Sequence, residues 1–202
     1  MYMVSLLTEH SFWKWLDADG FWQTNLKGSK SMAEIARVYR QTVPAMRFIG
    51  KKYGDEDRVN GGFGAKWEEC FESGLFARLE KLADGGIPGY DESGAYIGLM
   101  RWKQGEPFEY WIGMFAAANT SVPQGLDYLD FPESELGVCW VYGHEQNIYG
   151  LEEQCALKLI EEGYEIRTDA AGAYWFFERY VCPRFTIPDQ DGKIILDLCH
   201  YI

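Results

Sequence analysis

Apolar residues in this chain recur with two periods, and the switches between them lay out the elements. Residues 5–16 place Phe12, Trp15 and Leu16 at helical spacing, and DADGFWQTNLKGS after them is rich in turn formers. SMAEIARV opens with Ser31 and Glu34 in the pattern of a capping box and sets Ile35 and Val38 three apart, so a second short helix is predicted. From Val38 the pattern changes. YRQTVPAMRFIGKKY reads as a strand interrupted at Pro44, because proline offers no ladder donor. GGFGAKWEECFESGLFARLEKLADGG carries Phe63, Trp67, Phe71, Leu75, Leu79 and Leu82 at spacings of three and four. That stripe predicts one amphipathic helix over 63–82, ended by Gly85. AYIGLMRW and FEYWIGMFAA read as a hairpin across KQGEP.

The same order then returns. LGVCWVYG is a strand, and IYGLEEQCALKLIEEGYE is a helix over 148–162 with Ile148, Leu151, Cys155 and Leu159 inward. AYWFFERYV and KIILDLCHYI close the chain as a strand pair, with TSVPQGLDYLDFPES linking the two halves. The expected class is therefore α+β: two pseudo-twofold-related β-α-β-β repeats, about 38–118 and 136–202, in one sheet with helices on one face. A cleft should lie between the repeats. The domain division predicted is a helical N-terminal extension, 1–37, and a ligand-binding domain, 38–202.

Composition narrows the chemistry. The 202 residues include 8 Trp, 13 Tyr and 12 Phe, an aromatic excess suited to gripping flat or amphipathic molecules as well as to filling a core. A net charge of −12 without a basic run argues against nucleic acid and against anionic membranes, and favours cationic small molecules. No apolar run reaches the length of a membrane span, and MYMVSLLTEHSFWKW lacks a basic leader and a signal-peptide core, so the expected location is cytoplasmic. Cys70, Cys139, Cys155, Cys182 and Cys199 are scattered in apolar contexts and read as small buried hydrophobes. Neither they nor the three histidines show a metal-ligand spacing, so no metal or cofactor is expected. GGFG lacks the Gly-Lys-Ser/Thr end of a phosphate loop, and DQDG lacks the distal glutamate of a calcium loop.

The stretch YWFFERYVCPRF, 174–185, carries the sharpest chemistry. As a strand it alternates faces, so Tyr174, Phe176, Glu178 and Tyr180 share one and Trp175, Phe177 and Arg179 the other. Glu178 is then a carboxylate among rings, facing away from its neighbouring cation. Either Arg184 or Arg101 neutralises it, or it serves as counter-ion or general base for a ligand. Candidate cage residues are Trp67 and Phe71 of the first long helix, Tyr110 and Trp111, which lie on opposite faces of FEYW, Trp140 and Tyr142 of VCWVY, and Trp175, Phe176 and Tyr180. Each also has a core reading.

TVPAMRFIG, FEYWIGMF, VPQGLDYLDFPESELGVCWVYG, ERY and DGKIILDLCHYI together resemble the GyrI-like domain, also called the AraC-type effector-binding domain, over residues 38–202. The resemblance implies two β-α-β-β repeats with a small-molecule cleft between them, ligands that are hydrophobic, aromatic and often cationic, and a cleft-floor carboxylate at the position of Glu178. Relatives in transcription factors carry a DNA-binding domain; none is expected in this chain, which shows no basic helix. One subfamily of stand-alone bacterial members hydrolyses cyclopropanoid DNA-alkylating compounds in an aromatic cage, and the tryptophan richness here fits it. On that reading the chain is a xenobiotic-resistance hydrolase, with Glu178 positioning water and Tyr110 or Tyr142 polarising the substrate carbonyl. The alternatives are a non-catalytic multidrug or effector binder and, by family analogy, a topoisomerase-binding inhibitor. Either monomer or homodimer is compatible with all three.

Overall fold

A computed structural model describes residues 33–202 of the chain. Among these residues eight strands and three α-helices follow one another: β1 (Glu34–Val43), β2 (Met46–Tyr53), α1 (Gly64–Glu72), α2 (Leu75–Ala83), β3 (Tyr96–Trp102), β4 (Glu109–Ala117), β5 (Asp127–Phe131), β6 (Ser134–Gly143), α3 (Glu152–Glu161), β7 (Tyr174–Tyr180) and β8 (Ile194–Tyr201). The strands form one antiparallel sheet in the order β1-β6-β8-β7-β3-β4-β2-β5. Each repeat places its strands alike, β2-β4-β3 on one side and β7-β8-β6 on the other, so β3 and β7 meet at a pseudo-twofold axis. The expected α+β class and its repeats are present.

Two strands were not anticipated as such. Glu34–Val38, part of the stretch expected as helix, is strand, and it continues into Tyr39–Val43, expected as strand, to make β1 (Glu34–Val43). A bulge between Ile35 and Arg37 explains the misleading spacing. The extra residue returns Ile35 and Val38 to the same face, so a strand shows an apolar interval of three. The rest of the expected N-terminal extension lies outside the described residues. The second strand is β5, inside the segment taken as a linker.

These two strands tie the repeats together. β1 precedes β2 but pairs with β6, and β5 precedes β6 but pairs with β2. The register runs unbroken through the kink at Pro44 and Pro132, with Val43 opposite Ser134 and Met46 opposite Phe131. Each repeat thus lends its first strand to the other, as one continuous two-stranded ribbon.

All three helices pack on one face. Trp67, Cys70, Phe76 and Leu79 from α1 and α2, and Cys155 and Leu159 from α3, share one core cluster with Ile112, Val141, Phe176 and Leu198 of the sheet. The helix expected over 63–82 breaks at Gly74, whose φ of +70° suits glycine, and the second half restarts as α2. The opposite face has its own core, in which Ile87 and Tyr90, carried there by the segment after α2, cover Phe48, Ile97, Phe115 and Phe177. Four of the five cysteines are buried as expected; Cys182, after β7, is exposed.

A buried ion network holds that second face. Arg179 and Asp197 are both 0 % exposed. The Arg179 guanidinium donates to Asp197 at 2.7 and 2.9 Å, to Gln41 at 2.8 Å, to Tyr90 at 3.1 Å and to Tyr39 at 3.3 Å. Arg184 donates to both oxygens of Asp197, at 2.5 and 2.9 Å. One cation thereby fastens β7 to β1, β8 and the segment around Tyr90. Removing one partner of such a pair leaves a buried charge uncompensated. Arg179→Met is therefore expected to cost about 3–5 kcal/mol in urea unfolding; a loss under about 1 kcal/mol would show that the network is not structural.

Candidate functional site

The helix-side face of β7 carries Phe176, Glu178 and Tyr180, all buried. Glu178 lies opposite Gly98 of β3, at the central pair of the sheet. Tyr110 on β4 and Tyr180 on β7 both donate hydroxyl hydrogen bonds to its Oε2, at 3.0 and 2.8 Å. The Trp67 indole N–H of α1 donates to the Tyr110 oxygen at 3.0 Å. Among the described residues Oε1 accepts no hydrogen bond, and no cation contacts the carboxyl, which is only 5 % exposed. Arg184 is held by Asp197, and Arg101 pairs with Glu106 at 2.8 Å and Glu109 at 3.7 Å, so neither neutralises Glu178.

Rings enclose the group. Phe63 stacks on Tyr110 with centroids 4.3 Å apart and planes within 2°. Trp67 meets Tyr180 edge-on at 5.0 Å, and Phe185 closes on Tyr180 at 4.7 Å. Gly98 makes room beneath. A Cβ there would sit 2.5 Å from the Tyr110 oxygen and 2.8 Å from Glu178 Oε2. Only a glycine lets the hydroxyl and the carboxyl meet over β3.

Across the site lies Glu152, the first residue of α3, also buried. Burial pushes its pKa up. Burial, and after it the Glu152 charge, push Glu178 up to about 8, against the pull of the two phenols. Dry surroundings and the Glu178 charge hold Tyr110 and Tyr180 well above the usual phenol range, and half-buried Tyr149 is raised by the same two causes. His200, stacked on Phe176 at 5.4 Å, is lowered by burial to about 4 and stays neutral. The arrangement is a low-dielectric, ring-lined setting in which a carboxyl holds its proton near neutrality. Among the described residues no group of three or more His, Cys, Asp or Glu could hold a metal ion.

The candidate residues divide between the two faces. Trp67, Tyr110, Tyr180 and Glu178 come together. Phe176 shares their face but packs on His200, while Phe71 stands behind Trp67, 4.6 Å from Phe76 and edge-on to Tyr96 at 5.7 Å. Trp111, Trp140, Tyr142 and Trp175 point the other way, as strand alternation from Tyr110, Cys139 and Phe176 requires. Trp111 donates to Glu109, Trp140 lies between Arg37 and Arg184, and Tyr142 donates to Asp189 at 2.6 Å. Tyr142 therefore cannot act with Glu178. Glu152, Tyr149, Phe63 and Gly98 were missed. Glu152 had a signal: it sits three before Cys155 and seven before Leu159, on the inward stripe of α3.

In sequence, no family profile and no curated protein matches the chain. In structure it is similar to SAV2435 bound to tetraphenylphosphonium, at TM-score 0.59 and 16% identity, covering 82% of this chain and 93% of that one. It is also similar to a Staphylococcus aureus MU50 protein provisionally named a bacterial transcription regulation protein, at TM-score 0.56 and 15% identity, covering 82% and 97%. The chain thus shares the fold of these proteins, consistent with the GyrI-like architecture of two joined repeats. Among the described residues no helix is long and apolar enough to cross a membrane.

Two outcomes follow from the geometry. Gly98→Ala should destabilise by about 1–3 kcal/mol by overpacking, measured by urea unfolding; an unchanged midpoint would mean that the approach over β3 is loose. Glu178 has a folded pKa of about 8, above its unfolded value. Its contribution is full below that unfolded value and is lost as pH rises through about 8. Relative to Glu178→Gln, the wild type should therefore lose stability steadily from about pH 5 to pH 8.5. Parallel stability–pH curves for the two proteins would exclude a raised pKa.

Proposed function

We propose that the protein binds flat or bulky hydrophobic cations on the helix-side face between α1 and α3, with Glu178 as counter-ion. The observation that carries this reading is the lopsided carboxyl: among the described residues Oε2 is held by Tyr110 and Tyr180, while Oε1 accepts no hydrogen bond and no cation contacts the group. A buried acid of this kind is neutral when the site is empty and gains a partner when a cation arrives. Ring faces around it add about 0.5–2 kcal/mol each to cation binding. The hydrophobic cation seen on SAV2435, a protein of the same fold, supports the same ligand class. The role that fits is sequestration or sensing of toxic cationic compounds in a bacterial cytoplasm, by a monomer or a homodimer.

Binding should release the carboxyl proton, so affinity depends on pH. Tryptophan quenching by tetraphenylphosphonium or a rhodamine-type cation should strengthen about tenfold per unit between pH 6 and 7, levelling off above the Glu178 pKa of about 8. Glu178→Gln should weaken binding by about 1–3 kcal/mol and flatten that profile. Full affinity in the variant would remove the counter-ion role.

A second reading is hydrolysis of cyclopropanoid alkylators, favoured by the 3.0 Å contact between Tyr110 and Glu178. Ionised Glu178 would take a proton from water as the hydroxide adds to the strained ring carbon. The electrons of the broken ring bond would pass to the conjugated carbonyl, which is protonated in turn. No cofactor is required. Incubation with such a compound distinguishes the readings. A product heavier by one water, formed about 10²–10⁴-fold more slowly by Glu178→Gln, selects the enzyme; saturable binding with the compound recovered intact selects the binder.

A further inference from the structure

The opposite face of the sheet holds a cavity that plays no part in the Glu178 site. Its volume is about 490 Å³, within the range of roughly 300–1,000 Å³ usual for small-molecule pockets. It opens between the β5–β6 turn, residues 167–170 and the end of β8. Its floor is aromatic. Phe131 stacks on Tyr201 with centroids 5.3 Å apart and planes within 8°, and it stands perpendicular to Trp175 at 5.6 Å. Leu129, Pro132 and Ile202 complete an apolar lining.

The charges at its rim are not equivalent. Asp130 is occupied by Arg47, which donates to both of its oxygens at 2.7 and 2.8 Å. Asp169 accepts from the backbone N–H groups of Ala171 and Ala173 and from the Trp175 indole N–H at 2.8 Å. Both carboxylates are thereby committed to the fold. Arg167 differs: among the described residues its guanidinium makes no ion pair, hydrogen bond or ring contact, although its backbone N–H is anchored to the Tyr201 carbonyl at 2.9 Å. A fixed base thus presents a free fork of donors beside a pocket walled by flat rings. Guanidinium groups match carboxylate and sulfonate geometry in a bidentate manner.

We infer that this cavity is a second small-molecule site, taking a flat aromatic anion whose rings lie against Trp175, Phe131 and Tyr201 and whose acidic group pairs with Arg167. The site does not depend on the Glu178 reading, because different strand faces build the two. One chain then presents two ligand surfaces of opposite preference, back to back across β7.

Calorimetric titration with 2-naphthoate tests it, with 2-naphthalenemethanol as the neutral analogue. The wild type should bind naphthoate saturably at one site, and more tightly than the alcohol. Arg167→Glu replaces an exposed side chain that has no partner among the described residues, so the fold should survive, as a thermal melt would verify. That variant should weaken naphthoate binding about tenfold or more, while leaving the alcohol and tetraphenylphosphonium unchanged. Trp175→Ala should weaken both naphthalenes alike, and Glu178→Gln neither. Failure of naphthoate to saturate the wild type, or equal affinity in Arg167→Glu, would overturn the assignment.

Discussion

A strand sends successive side chains to opposite faces, and in β7 this rule separates two adjacent charges, Glu178 and Arg179, across the thickness of the sheet. Neither can neutralise the other. Arg179 finds Asp197, Tyr90, Gln41 and Tyr39, which together take up all five of its guanidinium hydrogens. Among the described residues Glu178 finds only phenols as hydrogen-bond partners, and keeps its proton near neutrality instead. The first solution is a strut, since it links four elements and leaves no bonding capacity toward a ligand. The second leaves one oxygen without a hydrogen bond among the described residues, in a ring-lined setting, and the proposed cation binding rests on that oxygen. Buried ionised pairs are costly to break, whereas a protonated carboxyl alone is tolerable. On the proposed reading, that difference separates structural charge from functional charge in this molecule.

The ribbon made by β1–β2 and β5–β6 explains why the two repeats act as one body. A strand exchanged in each direction leaves neither half with a complete sheet of its own. The pseudo-twofold axis at β3 and β7 then sets α1 and α3 on either side of the central pair. The symmetry stops at the side chains. The α1 flank supplies Trp67, which orders Tyr110, while the α3 flank supplies Glu152, whose charge works against ionisation of Glu178. The site is therefore asymmetric, with a hydrogen-bonding wall and an electrostatic one.

Much of this was legible in the chain. The element order of β2 to β4 and β6 to β8, the repeat, and the alternation that isolates Glu178 all follow from period and residue type. What was missed has physical causes. The bulge at Ile35 imitates helical spacing over a short window, and β5 reads as a linker because it is a short edge strand whose residues stay largely exposed. The aromatic candidates scattered over both faces because ring type alone does not tell a cage from a core. Trp111 and Trp140 pack as rings do anywhere, and only pairing registers reveal that they stand behind the sheet. Gly98 was invisible for the opposite reason: its role is the absence of a side chain opposite Glu178.

The central claim is that Glu178 is a protonated acid waiting for a cation. Carbon-13 NMR of the glutamate side-chain carboxyls, with Glu178→Gln used for assignment, reads it directly. The account predicts a resonance titrating near 8 in the free protein, displaced downward by about two units or more when tetraphenylphosphonium saturates the site. A titration in the ordinary glutamate range, or a high midpoint that the cation fails to move, would contradict it.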